Sequence, residues 1–301
     1  MKLRKILRLT DVERRLLARP AYFAGAIFAG ITLLVITGLV NPLDVALVTD
    51  LRHREPWTDN LFKILESPGQ RKFVYPIAIL LSMVFTIRRK DLLPMIATVS
   101  SLVFTNAVTG MFKLATLRGF PRRTDDPGVF NTDFGDLADL GAFPSGHATN
   151  IAAASTLMIL AAYSARPRYR PYAINITIIT AFVSFVTFMS SWLRDTHWVT
   201  DLLAGFALGV CTTIVATLWA IHLPDQWRHP ELAGRPRLVI FTVGVTSLAA
   251  IFMFAGNSFL SHSGTSVVLV IGTLGFIARQ SQQSIKRAVV RKREIRSQTE
   301  L

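Results

Sequence analysis

Residues 197–222 read HWVTDLLAGFALGVCTTIVATLWAIH, an apolar run opened by a histidine and an aspartate. The part from Trp198 to His222 exceeds the roughly 20 residues that a membrane-spanning helix needs. At its start, His197 and Asp201 stand four positions apart, a spacing that puts two side chains on one helix face. The carboxylate can then take the proton of one imidazole nitrogen, which leaves the other nitrogen a free lone pair.

Working outward, seven more segments are apolar enough to cross or nearly cross a bilayer: 21–40, 73–87, 92–112, 147–163, 172–192, 238–256 and 265–278. The whole chain agrees, with 301 residues, 51% hydrophobic content and a mean hydropathy of +0.41. These values exclude an ordinary soluble domain and predict an all-α integral membrane protein. The expected organisation is a six-helix core with a cytoplasmic N-terminal segment over 1–224. A two-span C-terminal extension ending in a basic cytoplasmic tail follows over 225–301.

The formal charge of +14 does not imply nucleic acid, because Lys and Arg punctuate the apolar segments instead of gathering on a soluble face. With the N-terminus inside, eight crossings place Arg88-Arg89-Lys90, Arg166/Arg168/Arg170, Arg228/Arg235/Arg237 and the tail from Arg279 on the cytoplasmic side, as the positive-inside rule requires. Segments 41–72, 113–146, 193–197 and 257–264 then face outward. The first apolar segment follows a basic run but lacks a clear small-residue cleavage site, so an uncleaved anchor is expected. The single Cys211 forms no internal disulfide. Segment 41–72 mixes Asp44, Asp50, Glu55, Asp59 and Glu66 with Val45, Val48, Leu51, Trp57, Leu61 and Phe62, which fits either a short interfacial helix or a solvated loop. Segment 122–143, rich in Asp, Gly and Pro, reads as irregular structure able to cover a site.

A second block, Pro144-Ser145-Gly146-His147, opens the 147–163 helix on the same outer side. Unpaired N–H groups and the helix dipole favour an anion there. Displacing a phosphate ester takes a nucleophile, a proton donor for the leaving oxygen and positive groups for the remaining oxygens. His197 with Asp201 fits the first role, and His147 the second.

Together the blocks resemble the type 2 phosphatidic acid phosphatase family, whose pattern is Lys-x6-Arg-Pro, then Pro-Ser-Gly-His, then Ser-Arg-x5-His-x3-Asp. Lys113 and Pro121 bound the first block, Pro144 to His147 reproduce the second, and Ser190, His197 and Asp201 match the third. The resemblance covers roughly residues 20–222 and rests on the joint spacing. It implies that His197 becomes phosphohistidine, that Asp201 orients it, and that His147 serves as general acid and base. Lys113, Ser145 and the Gly146 backbone would hold phosphate. The family needs no metal or cofactor, and the sequence offers no His-rich or Cys-rich ligand cluster. The implied setting is a bacterial inner membrane with the site on its outer side, acting on a lipid phosphate.

Two family arginines are replaced, by Phe120 and Ser191. A guanidinium fork suits phosphate oxygens, so catalysis needs substitutes: Arg118, Arg122 or Arg123 near the first block and Arg194 near the third. Alternation around Pro121 would put Arg118, Phe120 and Arg122 on one side. Arg194 shares the face of Ser191 if the 172–192 helix continues that far. Hydrolysis of a lipid phosphate monoester or diphosphate is the leading expectation. A lipid phosphotransferase using the same histidine, and a phosphate-binding relative without activity, are the alternatives. His53, His222, His229 and His262 lack catalytic company. Thr105, Asn106 and Thr109 are expected to bond between helices.

Overall fold

The computed structural model describes residues 11–48, 56–89, 91–122, 124–130, 141–163 and 170–223. The elements in these residues are helical: α1 (Asp11–Ile36), α2 (Asn41–Ala46), α3 (Pro56–Glu66), a 3₁₀ turn (Ser67–Gly69), α4 (Arg71–Arg89), α5 (Leu93–Thr116), α6 (Gly146–Tyr163), α7 (Arg170–Leu193) and α8 (Val199–Ile221). The first six expected spans fall on α1 and on α4 through α8. The spans expected at 238–256 and 265–278, the basic tail and the boundary at 224 lie outside the described residues.

Among the described residues, five stretches are long and apolar enough to cross a membrane: Leu17–Ile36, Trp57–Arg88, Leu93–Thr116, Tyr172–Leu193 and Val199–Ile221. The second begins well before residue 73, because α3 and the 3₁₀ turn run into α4. Helix α6 is absent from this group for a physical reason. Its first turns carry His147, Thr149 and Asn150, which lower its apolarity, and in these turns Ala148, Thr149, Ala152 and Ala153 are buried. In contrast, α1 exposes Tyr22, Phe23 and Leu33, α4 exposes Ile77 and Leu80, and α7 exposes Ile178, Phe182 and Phe185. Apolar residues displayed in this way along spanning helices are lipid-facing. The protein is an integral membrane protein.

Helix α8 is central and packs on α1, α5 and α6. Small residues make the α6 contact close: a Cβ placed on Gly209 would lie 2.3 Å from the Thr149 carbonyl oxygen and 2.9 Å from the Ala152 Cβ. Only glycine permits that approach, the small-residue packing typical of helices in lipid. Hydroxyl pairs join neighbouring helices: Ser101 with Thr213 at 2.8 Å, Thr105 with Thr212 at 2.7 Å, and Ser155 with Ser184 at 2.9 Å. Thr105 thus bonds between helices as expected. Asn106 and Thr109 instead donate to the carbonyls of Leu102 and Thr105 within α5, satisfied without leaving their own helix.

The C-terminal ends of α5 and α7 and the N-terminal ends of α4, α6 and α8 meet at one end of the bundle. Segment 41–72, open between helix and loop on sequence alone, supplies α2, α3 and the 3₁₀ turn. These do not stand apart from the bundle: α3 packs on α7, and the Trp192 indole N–H donates to the Leu47 carbonyl at 2.9 Å. The described parts of 117–130 and 141–145 are irregular, as expected, and are tied by bonds from Gly141 and Ala142 to the Arg118 carbonyl at 2.8 and 2.9 Å.

Candidate active site

His197 precedes α8 instead of lying within it. Trp198 is the extended N-cap residue, with ψ 152°, and the Asp201 side chain folds back so that Oδ2 accepts from the Trp198 N–H at 3.1 Å. The same oxygen lies 3.6 Å from His197 Nδ1. The four-residue spacing therefore works through the helix entrance, where free N–H groups need a capping carboxylate. His197 is 5% exposed, and its Nδ1 has no closer partner among the described residues.

Behind Asp201 stands Arg118. Its Nη1 donates to Asp201 Oδ1 at 2.5 Å and to Thr200 Oγ1 at 2.8 Å, Nη2 to Asp44 Oδ2 at 2.6 Å, and Nε to the Pro127 carbonyl at 2.8 Å. Asp44, from α2, also accepts from Thr200 Oγ1 at 2.5 Å. Burial opposes the Arg118 charge, but Asp201 and Asp44 beside it carry its pKa above the ordinary arginine value. Arg118 is 0% exposed. Its fork is spent on protein carboxylates and it presents no surface to a phosphate.

His147 opens α6, with its ring centroid 6.2 Å from that of His197. Ser145 caps this helix: its Oγ accepts from the Ala148 N–H at 3.4 Å, and its own N–H donates to the Asp201 carbonyl at 3.0 Å. Gly146 faces open space, since a Cβ added there would meet nothing within 4 Å. The α6 N-terminus therefore has room for an anion in front of its backbone.

The partner of His147 is Glu66, the last residue of α3. Glu66 Oε1 lies 3.5 Å from His147 Nδ1 and accepts from Ser191 Oγ at 3.0 Å and Thr196 Oγ1 at 3.3 Å. Arg194 Nη1 donates to Oε2, while Arg194 Nε donates to Asp59 Oδ1 at 3.1 Å. Gly69 sets the seat of this segment, because a Cβ there would lie 2.9 Å from the His147 carbonyl oxygen. The Gly69 carbonyl accepts from Asn150 Nδ2 at 3.2 Å, and Asn150 Oδ1 accepts from the Tyr75 hydroxyl at 3.1 Å. The 3₁₀ turn is thus clamped to the first turn of α6.

The candidate arginines take different places. Arg194 N–H bonds to the Ser190 carbonyl at 3.0 Å, so the α7 hydrogen-bonding pattern continues one residue past Leu193. Ser191 and Arg194 share a face, as the spacing predicts, and both bond to Glu66, which the spacing does not foresee. Burial opposes the Arg194 charge, yet its bonds to Asp59 and Glu66 raise its pKa above the ordinary value. The alternation expected to align Arg118, Phe120 and Arg122 resolves into three destinations, because the chain turns at Pro121-Arg122. Arg118 enters the core. Phe120 packs edge-on against His197 at 5.4 Å between centroids. Arg122 reaches Asp59 Oδ1 at 2.9 Å and the Arg194 carbonyl. Arg123 lies outside the described residues.

Lys113 donates to the Gly141 carbonyl and sits 5.8 Å from the Phe120 ring centroid. Position 120 therefore lies against His197. Reading the sequence did not single out Arg71, whose guanidinium is near enough for its charge to act on both Lys113 and His147. It lies one helical turn before Tyr75 on α4, and no carboxylate among the described residues pairs with it. Glu66, Asp44 and Asp59 were also missed as site residues. No local motif marks them, because each reaches the site only through tertiary contact.

The model of the PAP2 superfamily matches residues 94–224, the run that contains Lys113, Pro144 to His147, His197 and Asp201. Over this segment the chain is similar to the PAP2 superfamily. Among solved structures it is similar to the first transmembrane PAP2 type phosphatidylglycerolphosphate phosphatase from Bacillus subtilis, with a TM-score of 0.53 and 21% identity over 65% of this chain and 93% of that chain. At this identity the likeness is one of fold. No curated protein sequence matches the chain.

Proposed function

We propose that the protein is a membrane phosphatase that removes phosphate from a lipid phosphate monoester or diphosphate through a phosphohistidine. The observation that carries this reading is the pair of imidazoles, His147 and His197, 6.2 Å apart at one end of a spanning bundle. That separation suits one phosphoryl group held between the two rings. His197 Nε2 attacks phosphorus while Asp201 holds Nδ1–H. The P–O ester bond breaks, and its electron pair goes to the leaving oxygen, which takes a proton from His147. Neutral His147 then removes a proton from water, whose oxygen attacks the phosphohistidine. The N–P bond electrons return to His197.

The open face of Gly146, the α6 N-terminus, Lys113 and Arg71 would hold the nonbridging oxygens in place of the absent family arginines. Basic residues at the opposite helix ends, such as Arg88 and Arg89, support an outer-face site. A phosphatidylglycerolphosphate, phosphatidic acid, isoprenyl phosphate or phosphorylated glycolipid would suit a centre at the membrane surface.

The test is to incubate the purified protein briefly with a panel of labelled lipid phosphates, with and without chelator, and to quench in alkali. Acid-labile phosphohistidine and free phosphate are expected from wild type, and neither from His197→Ala. Label arriving on a second lipid would instead favour the phosphotransferase. Turnover by His197→Ala would remove the mechanism.

A further inference from the structure

We propose, on the basis of that phosphatase reading, that Glu66 is the positioning residue of His147, held in place by Arg194. The site then contains two matched relays, Arg118–Asp201–His197 and Arg194–Glu66–His147. Glu66 is 1% exposed, and a carboxylate is seldom buried unless paired. Each of its oxygens has a defined task. Oε2 meets the Arg194 guanidinium, and Oε1 faces His147 Nδ1 at 3.5 Å while accepting from Ser191 and Thr196. The matching distance in the other relay, Asp201 Oδ2 to His197 Nδ1, is 3.6 Å.

The chemistry needs such a group. His147 must carry a proton on Nε2 to give to the leaving oxygen, then shed it and accept another from water. A carboxylate on Nδ1 fixes the ring with Nε2 toward the reacting atoms and stabilises the imidazolium whenever it forms. The other ionisable groups that act electrostatically on His147 are His197, Lys113 and Arg71, all of them basic. Glu66 is the only counterion to the imidazolium among these groups. Arg194 offsets the negative charge that Glu66 would otherwise set beside a phosphate. Ser191 and Arg194 are thereby assigned to Glu66 and not to the substrate, which explains how a serine can occupy an arginine position in this chain.

The experiment compares wild type, Glu66→Gln and the doubly neutral Glu66→Gln/Arg194→Gln, which leaves no buried guanidinium without its carboxylate. Two substrates are used, an alkyl lipid phosphate and an aryl phosphate whose leaving group departs without a proton. Both variants should lose about 10²-fold or more in alkyl phosphate turnover, the scale of general acid–base catalysis. With the aryl phosphate they should form phosphohistidine at close to the wild-type rate and then accumulate it, because water activation by His147 is impaired. Equal losses on both substrates without accumulation would make Glu66 merely structural and overturn the proposal. So would a gain in activity, which would mark its carboxylate as a plug in the phosphate position. Wild type that forms no phosphohistidine would bring down the phosphatase reading itself. Wild type that forms it, beside a Glu66→Gln that hydrolyses it equally fast, would remove only the role of Glu66.

Discussion

The two histidines of the site are served by carboxylates of different origin. Asp201 lies four residues from His197 and is placed by the entrance of the helix that it caps. Glu66 comes from a separate helix and reaches His147 because Gly69 and Asn150 clamp the intervening turn against α6. The deeper arm is also the more enclosed one. Arg118 and Asp44 are fully buried at their side chains, whereas Asp59, which backs Arg194, is 42% exposed. The contact between Asp201 and His197 is local and forms with the start of α8, although Arg118 and Asp44 reach it from other elements. The distant arm exists only when α3 docks, so His197 and His147 are exposed to different structural failures.

The largest effect should come from Asp201→Asn. Replacing an aspartate that orients a catalytic histidine drops turnover by about 10⁴ in the serine protease triad, and a similar loss is expected here in steady-state turnover. Phosphohistidine formation should slow with the aryl phosphate as well, unlike the Glu66 variants. If Asp201→Asn and Glu66→Gln gave the same pattern of intermediates, the division between a nucleophile arm and a proton-transfer arm would collapse.

Arg118→Met comes next and is read in stability. It strands Asp201 and Asp44 in the interior, and breaking a buried pair by removing one partner costs about 3–5 kcal/mol. The unfolding midpoint in detergent should fall sharply, and Asp44→Asn/Arg118→Met should recover part of the loss. A midpoint equal to wild type would show that Arg118 is dispensable to the core and free for substrate.

The smallest effect is expected from Arg122→Ala. Its contact with Asp59 is exposed on both sides, 39% and 42%, and exposed ion pairs contribute about 0.2–1 kcal/mol. Both stability and turnover should stay near wild type. A loss of turnover on the scale of 10²-fold or more, as seen for a preorganised transition-state donor, would return Arg122 to the phosphate site and shift the comparison toward the surface.

The contrast between the arms also explains what could be read without coordinates. The apolar periods of α1 and α4–α8 are properties of consecutive residues, so the spans were legible. So was His197 with Asp201, since four residues fix a neighbourhood at a helix entrance. The arginine question was not legible. Arg118, Arg122 and Arg194 all stand within a few residues of the vacant family positions, and nothing local distinguishes a guanidinium aimed at substrate from one aimed at a buried carboxylate. Arg71 carries no motif, and nothing local shows that the first turns of α6 are enclosed by protein while Met158 and Tyr163 further along are exposed.

By itself, then, the sequence determined the membrane-spanning helices and the placing of His147 and His197 at helix entrances, because these follow from periodicity and short spacings that hold in any surroundings. Only the tertiary structure decided which charges face each other. The burial of Arg118 between Asp44 and Asp201, and the meeting of Glu66 with His147, Ser191 and Arg194, depend on the docking of α2 and α3 against helices far away in the chain. An ion pair in a low-dielectric interior is set by distance in space, and distance along the sequence does not encode it.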